Sequence, residues 1–65
     1  MLILSEILLK HGDEISSFAE LKAIIVKEAL STGEMFFSLD IEPPAYNDRP
    51  ESWYDELEMT FSSAR

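Results

Sequence analysis

Ser17-Phe18-Ala19-Glu20 has the S-x-x-E spacing of a helix start, and Gly33 sits where that helix has to end. In such a box the Ser17 hydroxyl accepts from the Glu20 amide, and the Glu20 carboxylate reaches back to the Ser17 amide. Glycine just past the last turn suits the left-handed backbone that closes a helix. Between these signals Phe18, Leu21, Ile25 and Ala29 form one stripe. Ile24, Val26 and Leu30 widen it well beyond the stripe of an ordinary surface helix. A helix over 18–31 this apolar has to be surrounded, by its own chain or by another copy. Phe18, Leu21 and Ile25 are therefore the expected contacts of a homodimer, the common form of self-association.

The remaining segments are shorter. Leu4, Ile7 and Leu8 share a stripe at i, i+3, i+4, which predicts a helix over 2–11. Lys10 and His11 suit its C-terminal dipole, and Gly12 is the expected left-handed residue after it. An edge strand over Met1–Leu4 is the rival reading. From Met35 the period changes to two. Met35, Phe37, Leu39 and Ile41 alternate with Phe36, Ser38, Asp40 and Glu42, which predicts a half-buried strand over 35–41. Pro43-Pro44 stops it, because proline cannot donate to a ladder. Asp48-Arg49-Pro50-Glu51 resembles a helix start, with proline in the first turn.

The last segment reads two ways. As a helix it aligns Trp53, Tyr54, Leu57 and Phe61. As a strand it alternates Leu57, Met59 and Phe61 with Glu56, Glu58 and Thr60. A strand at 35–41 needs a hydrogen-bonding neighbour. Residues 57–62 are the expected one, after a helical turn at 50–55; Met1–Leu4 or a second subunit are the alternatives. The expected fold is α+β: two N-terminal helices, about 2–11 and 18–31, packed on a small antiparallel sheet of 35–41 and 57–62. With 65 residues this is a single domain. Surface scaling allows it a folded area of roughly 4,200 Å², so one thin core and little depth for a cleft.

Thirteen acids oppose five bases, a net charge of −8. The excess is lopsided: residues 1–33 carry five acids and three bases, residues 34–65 eight acids and two bases. Phosphate binding needs Lys and Arg, so nucleic acid and anionic membrane are not expected as direct partners. No apolar run approaches the length of a membrane span. The N-terminus lacks the basic region and cleavage site of a signal peptide. With no cysteine in the chain, a reducing cytoplasm is the expected location. The initial Met suggests a whole small protein.

Catalytic signals are missing. His11 has no second His or Cys at metal-ligand spacing, and the helix dipole accounts for its position. No serine sits in a G-x-S-x-G context. No D-x-[DN]-x-[DN]-G loop marks calcium, and the two glycines form no phosphate loop. Carboxylate pairs are plentiful, but hydrolysis would need two of them across a cleft. No enzyme, metal or cofactor is expected.

What stands out is the mixture of acids and aromatics in residues 34–58. Asp40, Glu42, Asp48, Glu51, Asp55, Glu56 and Glu58 are interleaved with Phe36, Tyr46, Trp53 and Tyr54. Trp and Tyr carry binding hot spots disproportionately, and aromatic faces attract Lys and Arg. These eleven residues are the expected partner-binding set, facing a basic protein surface of the nucleic-acid-binding type. In size, charge and absence of motifs the chain resembles small acidic inhibitors from phage and mobile elements, such as anti-CRISPR and antirestriction proteins. That resemblance implies a DNA-mimic-like inhibitor. The alternative is an antitoxin or immunity-type partner, or a small subunit of a stable complex, using the apolar 18–30 face.

Overall fold

The capped helix forms as its signals require. In the computed structural model, which describes residues 1–64, it spans Phe18–Thr32. Ser17 is extended, at φ −149° and ψ 161°, and its Oγ accepts from the Glu20 amide at 3.1 Å. Gly33 closes the helix at φ 66°, with its amide donating to the Ala29 carbonyl at 3.1 Å. A side chain at that φ would be strained, so glycine is the residue of choice there. The other half of the box is corrected. Glu20 Oε1 accepts from the amide and hydroxyl of Ser16, at 2.7 and 2.8 Å, rather than from Ser17. Ser16 offers two donors to one oxygen, where Ser17 would offer one.

The elements run β1 (Leu2–Ile3), α1 (Leu4–His11), a 3-10 turn (Gly12–Glu14), α2 (the Phe18–Thr32 helix), β2 (Phe37–Ser38) and α3 (Trp53–Ser63). The fold is mixed α+β, with three α-helices and a two-stranded sheet among the described residues.

The sheet itself departs from expectation. It is parallel and pairs Leu2 with Phe37 and Ile3 with Ser38. The need of 35–41 for a neighbour was real, but the N-terminus meets it: the Leu2 amide donates to the Phe36 carbonyl at 2.8 Å. A parallel pair requires a long crossover, and α1 and α2 supply it. The chain therefore begins with a strand, and the first helix starts at Leu4 rather than at residue 2. Residues 57–62 are helical. With β2 already partnered, they follow the 3.6 period of Trp53, Leu57 and Phe61, which buries Leu57 and Phe61 and leaves Met59 67% exposed. The strand at 35–41 contracts to Phe37–Ser38. Gly12 is right-handed, at φ −53°, because the chain continues into the 3-10 turn instead of closing a helix.

Leu4 and Ile7 of α1, Phe18, Leu21, Ile25 and Ala29 of α2, and Leu57 and Phe61 of α3 meet in one core, joined by Leu2 and Ile15. Phe37 stacks on Phe61 with ring centroids 5.2 Å apart. Phe18, Leu21 and Ile25, the residues expected at a homodimer contact, are buried within a single chain. One chain covers this side of α2 because α1 and α3 both pack on it. The accessible surface of 4167 Å² agrees with one thin core.

Candidate docking surface

The acids of the C-terminal half divide into those that hold the fold and those that face solvent. Asp48 holds the fold. Its Oδ1 accepts from the Phe18 amide at 2.7 Å and its Oδ2 from the Ala19 amide at 3.0 Å. These are among the first amides of α2, which lack partners inside the helix. The Phe18 amide first, then that of Ala19, keep the Asp48 carboxyl below the usual carboxylate range. Asp40 plays the same part for α1, whose N-cap residue Ile3 has no side chain to offer: its Oδ1 accepts from the Ser5 amide at 3.0 Å. Asp40 too is held low, by the Ser5 hydroxyl and amide.

Other members of the expected binding set are also engaged within the chain. Glu42 pairs with Arg49 Nη1 at 2.9 Å, and the same nitrogen donates to the Pro43 carbonyl at 2.6 Å. The Arg49 guanidinium lies 6.0 Å from the Trp53 ring, so Arg49 clasps the loop before α3 against the helix. Trp53 and Tyr46 are half-buried against the core. Burial first, then the nearby Asp48 charge, raises the Tyr46 hydroxyl above its ordinary range. Glu56 bridges to Lys22 of α2 at 3.4 Å.

Glu51, Tyr54, Asp55, Glu58 and Phe36 are different. Residues 51, 54, 55 and 58 follow i, i+3, i+4, i+7 and so lie along one side of α3 and its leading turn. That side adjoins the one that buries Leu57 and Phe61, with Tyr54 two turns before Phe61. All four are exposed, and Tyr54 is 48% accessible. Among the described residues no cation pairs with Glu51, Asp55 or Glu58. Phe36, just before β2, is 70% exposed. A recess of about 200 Å³ joins the two groups, bounded by Phe36 and Phe37 on one side and Glu58, Phe61 and Ser62 on the other.

His11 lies elsewhere, between α1 and α2. Its Nε2 is 3.2 Å from Glu28 Oε1 and its Nδ1 is 3.6 Å from Glu14 Oε2. Lys10 also reaches Glu28 Oε1, at 3.3 Å. The His11 contact first, and Lys10 after it, outweigh burial and hold the Glu28 carboxyl low. The cluster ties two helices together. Among the described residues no group of three His, Asp or Glu side chains is arranged to hold a metal, and no helix is long and apolar enough to cross a membrane.

Sequence reasoning did not separate the acids that hold the fold from those that face solvent. The capping acids look like surface acids because their partners lie 35 and 30 residues away. No family model, curated protein or solved structure matches the chain.

Proposed function

We propose that this chain is a non-enzymatic protein-binding module whose acidic, aromatic side docks on a basic surface of a target protein. The observation that carries the reading is the stripe of Glu51, Tyr54, Asp55 and Glu58, exposed and without cationic partners, beside an exposed Phe36. Three unpaired carboxylates on one side create a local field that speeds encounter with Lys- and Arg-rich surfaces. Tyr54 and Phe36 supply the apolar and π-face contact that charge alone lacks. A surface of that kind on a target is suited to nucleic acid, so occupying it inhibits.

The test is capture from cells of the source organism with the wild-type chain and with Glu51→Lys/Asp55→Lys/Glu58→Lys, after circular dichroism has established that both are folded. A protein retained by the wild type, released by moderate salt and lost with the reversed variant supports docking through the stripe. Equal retention by both chains removes the stripe from the interface.

A further inference from the structure

The sheet has an open edge, and it lies next to the acidic stripe. Leu2 donates to the Phe36 carbonyl and stands opposite Phe37. In a parallel ladder of this register β1 bonds to the backbone of Phe36 and Ser38, and the N–H and C=O of Phe37 point to the other side. Among the described residues neither group of Phe37 has a hydrogen-bond partner. The side chain of Phe37 is anchored on Phe61, so this backbone is held in place by the core. Natural sheets usually cover such an edge, keep it very short, or protect it with lysine, proline or a bulge, and of these devices β2 has only its two-residue length. Here Pro43-Pro44 comes only after the strand, and the nearest charge across the recess is Glu58. Glu34 is paired with the Met1 ammonium and Glu42 with Arg49, so the negative field along the edge comes from Asp40 and Glu58, which have no cationic partner among the described residues.

We infer that β2 is a strand-addition site for an extended, lysine- or arginine-rich segment of the target protein. The inference rests on the docking reading and specifies its form. The incoming main chain would accept from the Phe37 amide and donate to its carbonyl. Alternate side chains of the segment would then point into the recess between Phe36 and Glu58, where a cation meets a carboxylate and an aromatic face. Peptides added this way gain affinity from main-chain bonds and specificity from alternate side chains. Charge complementarity selects a basic segment over a second copy of this chain, which carries the same negative edge.

The probe is a short capped peptide of alternating Lys and Val, compared with the same sequence N-methylated at its central amides, which keeps the charge and removes the pairing. Binding to the full chain is followed by amide NMR and hydrogen exchange. The expected result is slowing of Phe37 amide exchange by about tenfold or more, and an affinity for the methylated peptide lower by about tenfold, the scale of one hydrogen bond. Equal affinity for both peptides means attraction by charge alone; strand addition then falls while docking through the stripe stands. No binding of either peptide overturns the site. Protection of Phe37 that grows with protein concentration in the absence of peptide assigns the edge to a second copy and also overturns it. The capture experiment with the reversed stripe decides the docking reading separately.

Discussion

Asp48 caps the helix that begins at Phe18, with one carboxylate oxygen on the Phe18 amide at 2.7 Å and the other on the Ala19 amide at 3.0 Å. Together with the Ser17 hydroxyl on the Glu20 amide, this satisfies successive donors at the start of α2. The loop before α3 is thereby fastened to the first turn of the longest helix. Asp48→Ala should lower the melting temperature by roughly 5 °C, the scale of a lost cap in a domain this small. Asp48→Asn should recover part of the loss, because one oxygen remains as an acceptor. Thermal unfolding of the two variants beside wild type checks the order.

Ser17→Ala removes the local cap and should cost about 1 kcal/mol. It lies away from the acidic stripe, so association with a basic partner should be unchanged. Urea unfolding measures the first, and binding kinetics the second. An unaltered midpoint would mean that Asp48 alone caps the helix.

Acid should unfold the chain by releasing these caps. Glu20, Glu28, Asp40 and Asp48 are all held below the usual carboxylate range: Glu20 by the Ser16 amide and hydroxyl, Glu28 by His11, Asp40 by Ser5 and Asp48 by the Phe18 amide. A carboxyl with a depressed folded pKa contributes stability that is fully present above its unfolded value. The contribution is lost as pH falls through the folded value. Free carboxyls titrate near about 4, so these four should stabilise the fold from about pH 5 upward and lose their effect below about pH 4. Asp48→Asn should flatten the acid limb of a stability-against-pH curve. An unchanged limb would show that the caps do not set acid sensitivity.

The sequence makes α2 legible because its signals are local: the cap, the stripe and the glycine lie within one helix. The period of two after Met35 likewise marks β2 and places Phe37 and Leu39 toward the core. The partner of that strand was legible only as an alternative, Met1–Leu4, ranked below 57–62. Leu2 and Ile3 are too short a run to declare themselves as a strand, so pairing was sought among the alternating residues at 57–62. That choice hid the helix, although Trp53, Leu57 and Phe61 already stood at i, i+4, i+8. The capping roles of Asp40 and Asp48 could not be read either. An unfilled N-cap at Ile3 was the only hint that α1 would draw an acceptor from elsewhere.

Phe61→Ala should be the most damaging of these changes. Phe61 is buried, closes the core from α3 and stacks on Phe37. Deleting a buried aromatic of this size costs about 3–5 kcal/mol, a large part of the stability of a small domain. The same variant separates α3 from a strand. In the helix, loss of Phe61 loosens Leu57 and Ala64 on the same side and should raise amide exchange along 53–63. Exchange confined to alternate residues of 57–62 would instead mark a strand.

Tyr54→Ala and Phe36→Ala should leave stability within about 0.5 kcal/mol of wild type, because both side chains are largely in solvent. Their effect belongs to binding. Once a partner is identified, each should raise its dissociation rate, by roughly thirtyfold if the residue is a hot spot worth about 2 kcal/mol. Glu58→Lys should act on the other arm of the kinetics. An exposed charge steers the encounter, and screening over about 8 Å at physiological salt weakens it. The reversal should therefore slow association at low salt and converge on wild type as salt rises. Stopped-flow association at two ionic strengths, with surface-based dissociation beside it, reads both arms. A Glu58→Lys association rate equal to wild type at low salt would leave the carboxylates of α3 as a solvated face, with any partner held through other residues.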